Sequence, residues 1–222
     1  MKKNIKIVMI SDCHSKLDFS VPEADLLLIA GDMEPADHNP YLSINLQSNW
    51  LNVDFRYWLV EQPVKECVMI AGNHSWIFEK AKDRVPKMNS NFHYLEDESI
   101  ELFGLKIWGT PHQLPFNNWA FNLSEKELSK KWELIPDNID ILLCHSPPYG
   151  IFDLTHHPKY NSKHIGSKSL LKRIKEVKPK YVVSGHNHGE YGIVEKEGIK
   201  FINCSLLDEK YKMTKEPIVL EI

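Results

Sequence analysis

Cysteine is scarce in this chain: its 222 residues include four, Cys13, Cys67, Cys144 and Cys204, and no two have the C-x-x-C spacing of a thiolate metal site or redox motif. Three of them sit in or beside apolar runs, where cysteine acts as a small hydrophobe. A disulfide framework is therefore excluded, and reduced thiols in a cytoplasmic setting are expected. Long hydrophobic runs are missing too. The run Ile5 to Ile10 has six residues, too few for a signal-peptide core or a membrane span, and no later stretch is long enough to span. No membrane association is expected. Excess positive charge is also lacking: the net charge is −3 and the pI about 6.4. That balance gives no electrostatic case for nucleic-acid or membrane binding. An anionic substrate would have to be drawn by something local, such as metal ions. Finally, there is no internal repeat, low-complexity tract or linker-like stretch, so residues 1–222 are read as one domain.

The chain does have the means to build a core, with 42% hydrophobic and 26% charged residues. Short apolar runs predict buried strands at Ile5–Ile10, Asp25–Ala30, Cys67–Ala71, Ile139–Cys144 and Lys180–Ser184. Helical patterns lie between several of them. Leu46, Trp50, Leu51, Phe55, Trp58 and Leu59 share one helical face, closed by Pro63. Ser124 with Glu127 forms a capping-box pattern opening a helix through about Leu134. Leu170, Leu171, Ile174 and Val177 mark another helix, stopped at Lys178-Pro179. A hairpin is expected at Ile100–Phe103, Gly104 and Leu105–Trp108, with further strands at Tyr191–Glu195, Ile199–Cys204 and Ile218–Ile222. This is an α/β chain with antiparallel additions.

The strand endings carry the chemistry. The five buried strands run into Asp12-Cys13-His14, Gly31-Asp32, Gly72-Asn73-His74, His145 and Gly185-His186-Asn187-His188. In an open α/β sheet, ligand sites form at the carboxyl ends of strands, so these endings can meet at one edge. Asp, Asn and Gly are common in turns, and any one of them alone means little. Histidine has no comparable turn chemistry, yet five of the eleven histidines fall at these endings. Asp12 with His14, and His186 with His188, have i, i+2 spacing, which in extended backbone puts both members on one side. Carboxylate, imidazole and amide oxygen together suit Mn, Fe, Zn or similar ions, and the lack of thiolate argues against structural zinc. The seven candidate ligands Asp12, His14, Asp32, Asn73, His145, His186 and His188 are too many for one ion and suit two ions sharing a carboxylate.

As an ordered set from residue 12 to 188, these motifs resemble the five-motif signature of calcineurin-like metallophosphoesterases. The resemblance implies a four-layer α/β/β/α sandwich with two mixed sheets, and hydrolysis of a phosphate ester by a metal-held hydroxide. Carried over by position, it implies that Asp12, His14 and His188 hold one metal, and Asn73, His145 and His186 the other. Asp32 would bridge them, and His74 would contact the scissile phosphate and help protonate the leaving oxygen. Two divalent ions are implied, manganese first, with iron, zinc or magnesium as alternatives. A narrower likeness lies in Trp119-Ala120-Phe121-Asn122, His145-Ser146-Pro147-Pro148, His164-Ile165-Gly166 and Asn203-Cys204-Ser205. These resemble the small metallophosphoesterase-domain proteins related to class III cyclic-nucleotide phosphodiesterases, which implies a small phosphodiester substrate, a cyclic nucleotide among the options. A phosphomonoesterase, a nuclease and a non-catalytic scaffold of this fold are the rival readings. No basic, aromatic-interleaved stripe favours a nuclease, and an intact ligand set weighs against a scaffold.

Two departures from the family pattern stand out. Ser75 follows Gly-Asn-His where the family has an acidic residue; it can cap a following helix, but a carboxylate able to orient nearby imidazoles is lost. Cys13 occupies a position usually small, and in extended backbone it faces away from Asp12 and His14. His38, His93, His112, His156, His157 and His164 are expected to face solvent. The aromatic cluster Phe116, Trp119 and Phe121 is read first as core packing, and the loop from Pro147 to Gly166 as the wall of a pocket.

Overall fold

The computed structural model describes residues 4–155 and 163–222; the expectations for residues 1–3 and for His156 and His157 lie outside the described residues. Its first sheet is built from β1 (Lys6–Ile10), β2 (Ala24–Ile29), β3 (Val64–Met69), β4 (Phe92–Tyr94) and β11 (Ile218–Glu221), in the order β11-β1-β2-β3-β4. Four of these strands run parallel, and β11 pairs antiparallel with β1. The second sheet holds β5 (Glu98–Leu102), β6 (Leu105–Thr110), β7 (Ile141–Cys144), β8 (Tyr181–Ser184), β9 (Gly192–Lys196) and β10 (Ile199–Asn203), in the order β5-β6-β7-β8-β10-β9. Its centre is parallel and both edge pairings, β5 with β6 and β9 with β10, are antiparallel. Both sheets are mixed, as the family resemblance implies.

The near-continuous apolar runs are explained by burial on both faces. Along β2, Leu27 and Ile29 pack toward helices α1 (Pro40–Trp50), α2 (Arg56–Glu61) and α3 (Trp76–Lys80), against Trp50, Phe55, Trp58 and Phe78. The alternate residues, Leu26 and Leu28, pack between the sheets against Ile107, Ile141, Leu143 and Val183. On the far side, Trp108, Leu142, Val182 and Phe201 meet helices α4 (Glu125–Trp132) and α5 (Lys168–Val177) through Leu128, Trp132, Leu170 and Ile174. Three apolar clusters separate four layers, and burying each such side chain contributes about 1.5–3 kcal/mol. A five-residue π-helical segment, Leu51–Phe55, joins α1 to α2. Leu46 falls outside the buried face and is 49% exposed, because the buried stripe on α1 runs instead through Ser43, Ile44, Gln47 and Trp50. The capping box at Ser124 and Glu127 forms as expected, and α4 ends at Trp132, two residues before the expected limit. Helix α5 closes on Lys178 in the left-handed region, just before Pro179. Among the described residues no helix is long and apolar enough to cross a membrane.

His112, expected at the surface, is buried, and His93 is half-buried against Glu66. Asp97 draws in His112: its carboxylate accepts hydrogen bonds from Thr110 Oγ1 (2.7 Å) and Lys131 Nζ (2.6 Å) and pairs with His112 Nε2 (2.9 Å). Burial would raise this carboxyl, but His112, Lys131 and Thr110 outweigh it and hold it at about 2. Its ordinary value is 3.8, so the network's contribution is complete above about pH 4 and is lost as the pH falls through about 2. Asp97→Ala is expected to destabilise the protein by about 1.5–3 kcal/mol near neutral pH, because charged hydrogen bonds are lost. Denaturant melts at neutral and acid pH check this, with the gap between variant and native protein narrowing in acid.

Candidate metal centre

Strands β1, β2 and β3 of one sheet and β7 and β8 of the other all point their carboxyl ends to one edge, where the two sheets are stitched together. Ser11 bridges to Ser205, and the Leu206 amide donates to Ser11 O at 3.0 Å. All seven predicted ligand residues and His74 converge there. Asp12, His14 and His188 offer ligand atoms within 4.8 Å of one another, as do Asp12, Asp32 and His145, and also His14, Asp32 and His74. The amide oxygen of Asn73 lies 3.0 Å from His145 Nε2 and 2.7 Å from His186 Nδ1.

The backbone reaches this geometry in a way the i, i+2 argument does not describe. Asp12, His14, Asp32 and His186 have φ of +54°, +45°, +52° and +66°, so they are left-handed rather than extended. Such conformations are costly for residues with a Cβ and persist only where surroundings enforce them. Two motif glycines answer to close approach: a Cβ on Gly72 would strike the Asp32 carboxylate and come 2.7 Å from His145 Cε1, and one on Gly185 would strike Ser11 and Asp12. Cys13 turns into the core, outside the ligand set.

Neighbouring groups orient several of these candidate ligands. Oδ2 of Asp12 accepts from Ser11 Oγ (2.5 Å), Ser205 Oγ (2.9 Å) and the His186 amide (2.8 Å). Oδ1, 3.3 Å from His188 Nε2, is buried with no aligned hydrogen-bond partner. The backbone carbonyl of Ala30 holds His145 Nδ1 (2.8 Å) and that of Asp208 holds His188 Nδ1 (3.1 Å), which leaves Nε2 of each ring facing the centre. His14 Nε2 is likewise buried without a partner. Orphaned acceptor atoms converging in a buried, thiolate-free set are what two divalent cations would satisfy, so these residues fit the metals that the motifs imply.

The electrostatics divide the rings. Burial pushes His14 and His186 down to about 3, leaving neutral imidazoles suited to coordination. Burial opposes charge on His145 as well, but the Asp32 carboxylate wins and lifts it to about 9. Burial likewise disfavours the Asp12 and Asp32 carboxylates, and the facing imidazoles, led by His188 and His145 respectively, hold both well below the ordinary range.

Ser75 departs from its sequence reading. It stands at the N-cap position of α3 but makes no capping bond. Its hydroxyl instead accepts from the Gly72 amide (3.0 Å) and donates to Glu34 Oε2 (2.8 Å). A carboxylate is therefore present under the Gly-Asn-His turn after all, supplied by the loop after β2, and burial raises it to about 7. Gln47, fully buried on α1, donates to Pro35 O (2.9 Å) and His74 O (2.6 Å) and accepts from the Ile77 amide (2.9 Å), clamping the Asp32 and His74 loops together. No local pattern in the sequence marks it, because the buried stripe of α1 is itself half polar, Ser43 and Gln47 beside Ile44 and Trp50. Trp119-Ala120-Phe121-Asn122 also supports this turn: the Ala120 amide donates to Asn73 O (2.9 Å), and Trp119 packs 4.1 Å from the His74 ring. Phe121 is core, as expected, whereas Phe116 borders the site, with its ring centroid 6.0 Å from that of His186.

Above the centre lies a cavity of about 320 Å³, floored by Asp32, Asn73, His74, His186 and His188. Its walls come from Leu114–Asn117, from Tyr211, which packs on both His14 and His188, and from Thr155, Lys163, His164 and Ile165. The described part of the Pro147–Gly166 loop is thus a pocket wall, as expected.

Comparison with known proteins agrees with this architecture. A family model described as calcineurin-like phosphoesterase matches residues 5–190. The chain is 34% identical to a UPF0046 protein of Caenorhabditis elegans, with 99% of this chain aligned but only 60% of that protein's length. It is 30% identical to human metallophosphoesterase domain-containing protein 1, over 98% of this chain and 71% of that protein. Among solved structures, phosphopantetheinyl hydrolase from Mycobacterium tuberculosis superposes with a TM-score of 0.62 at 13% identity, covering 100% of this chain and 97% of that one. TT1561 of Thermus thermophilus gives 0.56 at 15% identity, with 99% of each chain covered. These two show a shared fold. With the matched span covering all five motifs, the chain belongs to the calcineurin-like phosphoesterase family.

Proposed function

We propose that this chain is a two-metal phosphohydrolase acting on a small phosphodiester, with cyclic nucleotides among the substrates to test. The observation that carries it is the convergence of two carboxylates, four imidazoles and an amide oxygen, with Asp12 Oδ1 and His14 Nε2 buried and unpartnered, at the floor of a cavity. Asp12, His14 and His188 would hold one ion and Asn73, His145 and His186 the other, with Asp32 serving both. Bound divalent ions supply Lewis acidity and a nucleophile at neutral pH. The chain's own groups do the rest. Ser11, Ser205 and the His186 amide fix the Asp12 carboxylate, and Ala30 O and Asp208 O fix the two rings. His74, its ring held against Trp119 at the cavity floor, hands a proton to the departing oxygen. A cavity of about 320 Å³ suits a small ester, and a net charge of −3 argues against a nucleic-acid polymer. All four cysteines are free and buried, which supports a reducing, cytoplasmic setting, and we read the chain as a single domain.

Metal-stripped protein, reloaded separately with Mn, Zn, Fe and Mg and assayed on phosphodiesters and phosphomonoesters, tests the reading. Two ions per chain by elemental analysis and diester turnover with a transition metal, manganese first, are expected. One ion per chain at full occupancy, or no turnover of either ester class with any metal, would sink it. Preference for monoesters would replace diesterase by phosphatase.

A further inference from the structure

The loop before α5 carries an aspartate–histidine pair that the metal chemistry leaves unused. Asp153 is 1% exposed, and its carboxylate takes His164 Nδ1 at 2.8 Å and the Gly166 amide at 3.2 Å. The turn around it is tight: a Cβ on Gly166 would come within 2.6 Å of the Pro148 backbone. Leu154 bridges to His164, and the Ile165 amide donates to Asp153 O (2.8 Å), so the two residues are locked side by side. Tyr149 packs against the His164 ring at 4.8 Å. A carboxylate only accepts hydrogen bonds, so it requires the imidazole proton on Nδ1 and leaves Nε2 as the ring's remaining polar atom.

That ring is directed outward. His164 has 44% of its side chain exposed and lines the same cavity as Asp32, His74, His186 and His188. Its position relative to the centre is also fixed. Asn187, lying between two predicted ligands, donates from Nδ2 to Phe152 O (3.0 Å), Leu154 O (3.2 Å) and Glu190 Oε2 (3.1 Å). Glu190 Oε2 in turn accepts from the Leu154 amide at 3.0 Å. The loop that presents His164 and the turn that presents His186 and His188 are therefore one hydrogen-bonded unit. A buried carboxylate is expensive to keep. Here it sets the tautomer of a single cavity-facing imidazole.

We propose that His164 is a specificity-determining residue whose Nε2 accepts a hydrogen bond from a hydroxyl on the alcohol that stays bonded to phosphorus, so that the site selects phosphodiesters of polyols over those of plain alkyl alcohols. This rests on the reading of the cavity as a phosphodiesterase site. A hydroxyl placed to donate to Nε2 gains that hydrogen bond, whereas a plain alkyl ester leaves the half-exposed nitrogen to water, so the difference is one hydrogen bond.

The test uses two esters with the same leaving group, glyceryl p-nitrophenyl phosphate and propyl p-nitrophenyl phosphate, on the metal-loaded full chain. The native protein should prefer the glyceryl ester by roughly 10-fold in kcat/KM, the scale of one well-placed hydrogen bond. His164→Phe should erase that preference, lowering the glyceryl rate about tenfold more than the propyl rate, with the metal content unchanged. His164→Gln, which restores an acceptor near the Nε2 position, should recover part of it and guards against a folding defect in the Phe variant. Equal rates of the two esters with native protein, or a preference that survives in His164→Phe, would overturn the proposal. So would losses that are equal on both esters and accompanied by loss of metal, since these would make the pair structural. Failure of the native protein to cleave either ester with any metal would instead refute the phosphodiesterase reading beneath it.

Discussion

Asp32→Ala is expected to weaken both metal positions at once and to lower phosphodiester hydrolysis by on the order of 10³-fold or more, the upper range for losing one electrostatic stabiliser of a transition state. Asp32 shares one group of ligand atoms with Asp12 and His145 and another with His14 and His74, so its carboxylate lies where the two proposed positions meet. It is also the partner that keeps His145 charged in the metal-free protein, and its Oδ1 accepts the His74 amide at 2.8 Å. Removing it strips a ligand from two ions and loosens the proton donor's turn in one step. His14→Ala provides the contrast, since a terminal imidazole serves one ion and should spare the other. Calorimetric metal titration of both variants decides the matter. Two unperturbed sites in Asp32→Ala would show that the bridge assignment is wrong.

His74→Ala is expected to keep two metals and lose roughly 10²–10⁴-fold on an alkyl diester, the usual range for general acid catalysis, with a far smaller loss on bis-p-nitrophenyl phosphate. An alkoxide is strongly basic and needs a proton as it departs, whereas a nitrophenolate is already stable in water. Burial lowers the His74 imidazole below its ordinary value of 6.5, so its role as donor depends on the anionic phosphate of the bound ester favouring the charged ring again. The alanine variant is clean for a structural reason. The contacts that hold this turn use the His74 backbone, whose amide donates to Asp32 and whose carbonyl accepts from Gln47. Both survive the substitution. Because His74 also lies within ligand distance of His14 and Asp32, metal content must be measured in parallel. Loss of an ion would make it a ligand; equal losses on both esters with metals intact would make it a stabiliser of phosphoryl oxygens; no loss would remove it from the chemistry.

The native protein therefore combines a ligand set legible in the sequence with supporting contacts that are not. Asp12, His14, Asp32, Asn73, His145, His186 and His188 were visible because each closes an apolar run, and strand ends of a parallel sheet share one edge whatever the rest of the chain does. The strands themselves were visible for the same reason, except the three-residue β4, whose half-buried Phe92, His93 and Tyr94 show no apolar run. The partners that aim the ligands lie far off in the chain and are ordinary residue types. Ser205 reaches Asp12 across 193 positions, Gln47 reaches His74 across 27, and Glu34 reaches Ser75 across 41. No local pattern distinguishes such a serine, glutamine or glutamate from one in solvent. The left-handed backbone at Asp12, His14 and Asp32 is likewise set by surroundings, since isolated L-residues avoid it. The sequence alone determined which side chains could serve as ligands, because ligand chemistry resides in single side chains; only the tertiary structure decided where each atom points, because that depends on hydrogen bonds between segments that meet only after folding.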